Sequence, residues 1–160
     1  MFKLVDWLKL DDLNLKALCS NPHPHAIELI RVMLSKGETV CWDSLSSNPE
    51  AISLLEDNKD KIDYGFLSSN PQAGHLFEDH LHDLDWQAIS SNPHSKAIKL
   101  LRKSPERINW SALSYNTSLE AIQLLKDNVT MIDWKYLCQN PCDEAITLLE
   151  QALDKIVWYM

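Results

Sequence analysis

Apolar residues recur in two short helical patterns joined by a polar corner. In one stretch, Trp134 is followed three residues later by Leu137, which places both side chains on one face of a short helix. Asn140-Pro141 then ends that helix, because a residue before proline is displaced from the α region. The stretch from Ala145 to Leu149 has apolar residues at i, i+1, i+3 and i+4, the wide stripe of a core-facing helix. This pattern predicts a pair of short helices.

The pattern repeats along the chain, and an aromatic residue marks each copy at spacings of 22, 22, 24, 24 and 24 residues. The marker residues are Trp42, Tyr64, Trp86, Trp110, Trp134 and Trp158. A weaker first copy has Leu15 at this position. Units of 20 to 50 residues at a fixed period are typical of solenoids, in which each copy buries its apolar face against its neighbours. The sequence predicts an all-α fold, an α-solenoid of about six two-helix repeats of 22–24 residues.

With 160 residues and 45% hydrophobic content, the chain is long enough for one domain with a sizeable core. We expect a single helical-repeat domain over residues 1–160, with an N-terminal cap at 1–12, repeats at 13–155, and the truncated start of a further repeat at 156–160. Two interpretations of that apolar ending stay open. The tail folds over the preceding helices as a lid, or Trp158, Tyr159 and Met160 form an edge through which two chains pair as a homodimer.

Polar residues at fixed positions predict how each copy is held. An Asp or Asn directly before the aromatic residue is expected to cap the first helix. The asparagine six residues after each marker is expected to cap the second helix, and to bond with the backbone of the neighbouring corner as one rung of a ladder. In the first full copy, Gly37 is expected to end a longer second helix.

One copy departs from this pattern. Gly74 stands where Ile52, Ile98, Ile122 and Ile146 stand in other copies. Either Phe77 fills the missing volume, or a pocket opens beside His75, His80 and His82.

The formal charge of −8 argues against binding to nucleic acid or to an anionic membrane surface, both of which need an excess of Lys and Arg. No apolar run is long enough to span a bilayer, and the first residues do not resemble a secretion signal. Cys19 and Cys138 stand where other copies have serine, so we expect small half-buried residues and no disulfide framework. These features favour a cytoplasmic protein.

Charge is unevenly distributed along the chain. Residues 38–85 contain eleven acids and two bases, whereas residues 96–107 contain five bases and one acid. The predicted binding patch consists of Lys96, Lys99, Arg102, Lys103, Arg107 and His75. This segment is either a solvated face or a patch for an acidic protein partner, for a phosphate-bearing ligand, or for the acidic half of a second copy.

No catalytic motif is apparent. His80 and His82 would point apart on a helix, and Cys142 has no histidine near it in sequence to act as a base. The chain contains no Gly-rich phosphate loop, GxSxG or HExxH motif. We therefore predict a protein that is not an enzyme and that has no metal or cofactor.

The stretch Ile132-Asp133-Trp134-x-x-Leu137-x-x-Asn140-Pro141 followed by Ala145-Ile146-x-Leu148-Leu149 resembles a short tandem helical repeat, IDWxxLSxNPxAIxLL, of proteins predicted from giant viruses and large phages. The resemblance covers roughly residues 13–158 and implies a viral factor acting in the host cytoplasm, and it defines no catalytic residue. The leading hypothesis is a scaffold that binds a protein partner. Its exposed, copy-specific positions include Glu28, Ser53, His75, Lys99, Gln123 and Thr147. The alternative is a protein that sequesters a small ligand, such as a nucleotide signal in host defence.

Overall fold

The computed structural model describes residues 13–152, which fold entirely into helices and turns, without a β-strand in that range. This confirms the all-α prediction. The α-helices are α1 (Leu15–Ser20), α2 (Pro24–Ser35), α3 (Trp42–Ser47), α4 (Ile52–Asp57), α5 (Tyr64–Leu67), α6 (Trp86–Ser91), α7 (Ser95–Lys103), α8 (Trp110–Tyr115), α9 (Leu119–Lys126), α10 (Trp134–Leu137) and α11 (Asp143–Glu150). Short 3-10 segments lie at Pro49–Ala51, Lys59–Lys61, Gly74–Leu76, Pro105–Arg107 and Val129–Met131.

The chain divides into two compact units at the junction of Ala73 and Gly74. The first unit contains α1 to α5 and the second contains α6 to α11. The assignment of residues 1–160 to a single domain stays a prediction. The expected cap at 1–12 and the expected edge at Trp158, Tyr159 and Met160 lie outside the described residues.

The first helix of most copies begins at a side-chain cap, as predicted. Asp85 Oδ1 accepts from the backbone N–H groups of Gln87 and Ala88, at 2.9 and 3.2 Å. The residues that cap in the same way are Asn14, Asp63, Asn109 and Asp133. Such a bond satisfies one of the backbone donors that a helix N-terminus leaves unpaired. Cys41, before α3, makes no side-chain cap bond.

The core rows are aliphatic. The residue three positions after each marker is fully buried in every described copy from the second onward, at Leu45, Leu67, Ile89, Leu113 and Leu137. The last leucine of the second helix is equally buried in α4, α7 and α9, at Leu55, Leu101 and Leu125. The five marker aromatic residues within the described range, from Trp42 to Trp134, are half-buried. The markers therefore contribute to a surface as well as to the core.

The repeated asparagines form the predicted ladder within each unit. Asn48 Nδ2 donates to the backbone oxygens of Cys19 and Asn21, at 2.8 and 3.0 Å, and its Oδ1 accepts from Glu50 N. The same two bonds to the preceding copy recur at Asn70, Asn116 and Asn140. Each of these four amides is almost fully buried, so each needs every one of its partners.

These asparagines cap less than predicted. Asn48 caps a 3-10 segment, Pro49–Ala51. In the 24-residue copies the corner is two residues longer, so α7, α9 and α11 begin after His94, Ser118 and Cys142 instead. The asparagine there still accepts from the N–H two residues ahead, which shapes the corner.

A second ladder uses the serine four residues after each marker. Ser46 Oγ donates to Trp42 O at 2.7 Å and accepts from the backbone N–H of Asp63 at 3.0 Å. Ser90 and Ser114 receive the equivalent N–H from Asn109 and Asp133, both at 3.0 Å. The hydroxyl therefore joins its own helix to the start of the next copy. Both ladders connect successive copies through buried polar atoms.

The copy that contains Gly74 differs most from the two-helix prediction. Between Leu67 and Trp86 the chain has only a 3-10 segment and turns, so the predicted second α-helix is absent there. Phe77 is fully buried, as expected if it fills the missing volume. The ring of His94 occupies the space that a Cβ on Gly74 would need. The glycine is therefore required for close packing and is not a defect in the copy.

Gly37 ends α2 as predicted. Its φ is +79°, a left-handed conformation that suits glycine. Gly37 N donates to Leu34 O and Glu38 N to Met33 O, at 3.0 and 3.1 Å. These are the two bonds of a Schellman motif, which satisfies the last carbonyl groups of the helix.

Candidate binding site

The strongest candidate site lies along α7. Its apolar residues Ala97, Ile98, Leu100 and Leu101 are buried, so the basic residues between them must face outward. Since residues at i, i+3 and i+7 share one helical face, Lys96, Lys99 and Lys103 project on the same side. We call Lys96, Lys99, Arg102 and Lys103 the α7 basic cluster.

The α7 basic cluster surrounds a surface depression of about 310 Å³. The residues that line it are Gly74, Glu78, Lys96, Lys99, Leu100, Arg102 and Lys103. Four cations therefore face one carboxylate. Gly74 also lines the depression, and the space that a side chain there would need is filled by the ring of His94. The structure thus contains a depression beside Gly74, but it places lysines there and not the three histidines of the sequence-based alternative.

Two members of the cluster already have acidic partners. Lys96 Nζ lies 3.8 Å from Glu78 Oε1, and Arg102 Nη1 lies 3.2 Å from Asp127 Oδ2. Hydrogen bonds from Gln123 and Arg102 lower the pKa of Asp127. Within residues 13–152, Lys99 and Lys103 form no ion pair. These two ammonium groups are available to an incoming anion.

The other two predicted patch residues are not part of this depression. Arg107 stacks on the ring of Trp86, with its guanidinium carbon 4.9 Å from the ring centroid. It also lies 3.8 Å from Glu106 Oε1 and donates to Leu81 O at 3.5 Å. His75 is exposed. The predicted patch of six residues therefore reduces to four that share one site.

His94 caps the helix that carries the α7 basic cluster. Its Nδ1 accepts from the backbone N–H of Lys96 at 3.0 Å, which caps α7. Burial lowers the pKa of His94, and the nearby charges of Lys96 and His75 lower it further. A neutral imidazole is required here, since a protonated Nδ1 could not accept the bond. Sequence reasoning missed His94, Glu78 and Leu100, because only Gly74 was visibly unusual in the repeat.

A second depression of about 440 Å³ lies between two successive marker tryptophans. Its walls are formed by Trp110, Ser111, Met131, Ile132, Asp133, Trp134 and Lys135. Met131 is exposed to 46%, and Ser111 Oγ donates to Asp133 Oδ2 at 2.6 Å. We call this surface the aromatic groove. It was not anticipated from the sequence.

The remaining candidates offer little chemistry. No group of three or more His, Cys, Asp or Glu side chains is placed to hold a metal within residues 13–152. The chain between His80 and Asp83 is a turn and not the expected helix, and His80 Nδ1 lies 3.7 Å from Asp83 Oδ2. All four cysteines are free thiols. The prediction that Cys19 and Cys138 are both half-buried is wrong, since Cys19 is fully buried and Cys138 is exposed.

The described helices define a small all-α protein with a basic surface site. Among them there is no helix with the length and apolar character needed to cross a membrane. Comparisons with protein-family models, with curated proteins and with solved structures find nothing that matches this chain.

Proposed function

We propose that this chain is a non-enzymatic α-solenoid that binds an acidic protein partner through the α7 basic cluster. The observation that supports this most is the pair of ammonium groups at Lys99 and Lys103, unpaired within the described residues, in a chain whose net charge is −8. A local patch opposite in sign to the rest of the molecule orients a partner and accelerates its capture. The two ladders support the solenoid arrangement, since they join copies at a constant register.

The surface of the second helices, and of the 3-10 segment Gly74–Leu76 that replaces one of them, supports an interaction role. The six copy-specific positions predicted to be exposed, Glu28, Ser53, His75, Lys99, Gln123 and Thr147, are all exposed. The buried positions of these helices repeat, whereas the exposed ones differ in charge and size from copy to copy. The aromatic groove adds tryptophan, a residue that frequently dominates binding energy at protein interfaces. The resemblance to viral repeat proteins favours a host protein in the cytoplasm as the partner.

The test compares charge reversals at two places. The variant Lys99→Glu/Lys103→Glu changes the site, and Lys16→Glu/Lys59→Glu makes the same charge change at exposed lysines elsewhere. Partners captured from host-cell extract would be identified by mass spectrometry at two salt concentrations. The proposal expects a partner held by the wild type and by the control variant, lost from the site variant, and weakened by salt. Equal capture by both variants would remove the cluster from the interface.

A second copy of the chain is one acidic partner of suitable chemistry. Residues 38–85 contain eleven acids, so the acidic part of one molecule complements the cluster of another. Sedimentation of the wild type and the site variant at low salt tests this. A dimer that dissociates in the site variant alone identifies the partner as the chain itself.

A phosphate-bearing small ligand is the second candidate function, and the concentration of basic side chains around the α7 depression favours it. Four cations around about 310 Å³ are arranged to surround a small polyanion. A ligand that binds only the folded state, at 100 times its dissociation constant, adds about 2.7 kcal/mol to stability. A thermal-shift panel of nucleotides should therefore raise the midpoint of the wild type but not of Lys99→Glu/Lys103→Glu. Absence of any shift would discard this candidate.

A further inference from the structure

Two of the four cysteines replace repeated residues on the two sides of one contact. Cys19 stands at the position of the ladder serines Ser46, Ser90 and Ser114, and Cys41 stands at the position of the capping residues. In the later copies these two positions touch, because the serine hydroxyl accepts the backbone N–H of the next capping residue. Within the described residues, both sides of this contact are cysteine in one place only, between the first copy and the second.

The structure places the two thiols together. The backbone N–H of Cys41 donates to Cys19 Sγ, with an N–S distance of 3.4 Å. The thiol of Cys41 makes no cap bond to α3, and it lies close enough to Cys19 Sγ to interact with it. The aspartate or asparagine found at the Cys41 position elsewhere does cap its helix. Cys41 therefore lacks the helix-cap bond that other copies make at this position, and its thiol interacts with the thiol of Cys19 instead.

We propose that Cys19 and Cys41 are a redox pair, which an oxidised low-molecular-weight thiol converts to an intramolecular disulfide joining the first two copies. The thiolate of Cys41 attacks the small disulfide RSSR, which forms a mixed disulfide and releases RS⁻. The thiolate of Cys19 then attacks Cys41 Sγ and displaces the second RS⁻. The two protein protons end on the released thiolates, so two thiols and RSSR yield one protein disulfide and two RSH.

Accessibility sets the order of these steps. Cys41 is half-buried and is reached first, whereas Cys19 is fully buried. Burial raises the pKa of the Cys19 thiol, and this is the largest influence on it. Only the thiolate attacks, so the second step is slow and accelerates as the pH rises. Formation of the disulfide therefore passes through a mixed disulfide on Cys41.

The disulfide would join the first two copies covalently at a position where the later copies are joined by a hydrogen bond to a serine hydroxyl. A crosslink between residues 19 and 41 restricts the unfolded chain and leaves the folded copies in register. The 3.4 Å contact between Cys41 N and Cys19 Sγ already brings the two residues together, as a disulfide between them requires. The chain would then hold its first copies more firmly under oxidising conditions than under reducing ones.

The test treats the folded, full-length chain with oxidised glutathione and maps the product after tryptic digestion. Cleavage at Lys16, Arg31, Lys36 and Lys59 places Cys19 in peptide 17–31 and Cys41 in peptide 37–59, while Cys138 and Cys142 share peptide 136–155. The proposal expects peptides 17–31 and 37–59 joined within one monomer, reversed by a reducing agent. A stable glutathione adduct on Cys41 without the crosslink, or crosslinks between chains only, would overturn it.

Matched variants separate the pair from the other thiols. Cys19→Ser and Cys41→Asp restore the residues of other copies, so both variants should fold. In a Cys138→Ser/Cys142→Ser background, oxidation should raise the thermal midpoint by roughly 5–10 °C. Neither Cys19→Ser nor Cys41→Asp in that background should show the rise, and Cys19→Ser should retain glutathione on Cys41. An equal rise in either variant would contradict the pair.

Discussion

Replacing one rung of the asparagine ladder tests what holds successive copies together. The side chain of Asn116 is 2% exposed and makes three bonds. Its Nδ2 donates to Ser90 O at 3.0 Å and to Asn92 O at 2.9 Å, and its Oδ1 accepts from Ser118 N at 3.0 Å. The variant Asn116→Ala removes all three bonds, each with a net value of about 1 kcal/mol. We expect a loss of about 3 kcal/mol, a large part of the 5–15 kcal/mol by which domains are typically stable.

Urea denaturation followed by circular dichroism measures this loss. With a denaturant slope of about 2 kcal/mol per molar, the midpoint should fall by about 1.5 M. The matched control is Asn128→Ala, which removes a single bond to Leu124 O at a half-buried site. That control should cost about 1 kcal/mol or less. If Asn116→Ala cost no more than the control, the ladder would contribute nothing beyond ordinary local bonds, and the stacking argument would be wrong.

The variant Asn116→Asp tests which atoms of this side chain donate and which accept. The carboxylate keeps an acceptor for Ser118 N, but it faces the two carbonyl oxygens of Ser90 and Asn92. Both donated bonds are lost and a charge is buried, so this variant should be less stable than Asn116→Ala at neutral pH. Acidification should narrow the difference, because a protonated carboxyl can donate one bond again. A constant difference between the two variants across pH would contradict this assignment of donors and acceptors.

Three further outcomes follow from single residues. Ser114→Ala removes a bond to Trp110 O and one from Asp133 N, and we expect a loss of about 2 kcal/mol in the same urea assay. The pKa of His94 is lowered by folding from its ordinary value of 6.5; its stabilising contribution is therefore complete above that value and is lost as the pH falls through the lowered pKa. His94→Asn, which keeps a capping acceptor, should flatten the pH dependence of the thermal midpoint between pH 7 and 5, and an unchanged slope would count against the role of His94. Gly74→Ala places a Cβ in the His94 ring, so it should lower the midpoint and weaken any ligand of the depression, and a neutral effect would mean that the ring moves freely.

Sequence reasoning predicted the features that recur and missed those that occur once. The helix caps at Asp63 and Asp133 and the ladder at Asn48 could be inferred, because the same residue type returns at the same position in each copy. The close contact between Gly74 and His94 could not be inferred in this way. It involves a glycine that no other copy has at this position, in a copy whose second α-helix is absent.

The candidate site shows the same division. The lysines of α7 could be placed on one face from helical spacing alone. Their partner Glu78 lies in the turn region that was predicted as helix, so its position near Lys96 was inaccessible to sequence reasoning. Arg107 was grouped with the cluster by proximity in sequence, but its contact with Trp86 places it elsewhere. Helical spacing in the sequence predicts which residues share a face of one helix. Which charged residues from different elements share a surface depends on tertiary contacts.

The asparagine ladder has a direction. Each amide that reaches out of its copy, as Asn140 does to Ser114 O and Asn116 O, donates only toward the N-terminal side. Deleting copies from the C-terminal side of a unit would uncover carbonyl oxygens, which water can solvate. Deleting them from the N-terminal side would remove the acceptors of a buried asparagine amide. During synthesis the acceptor carbonyl groups leave the ribosome before the asparagine that donates to them. Each new pair of helices therefore finds its hydrogen-bond acceptors already synthesised.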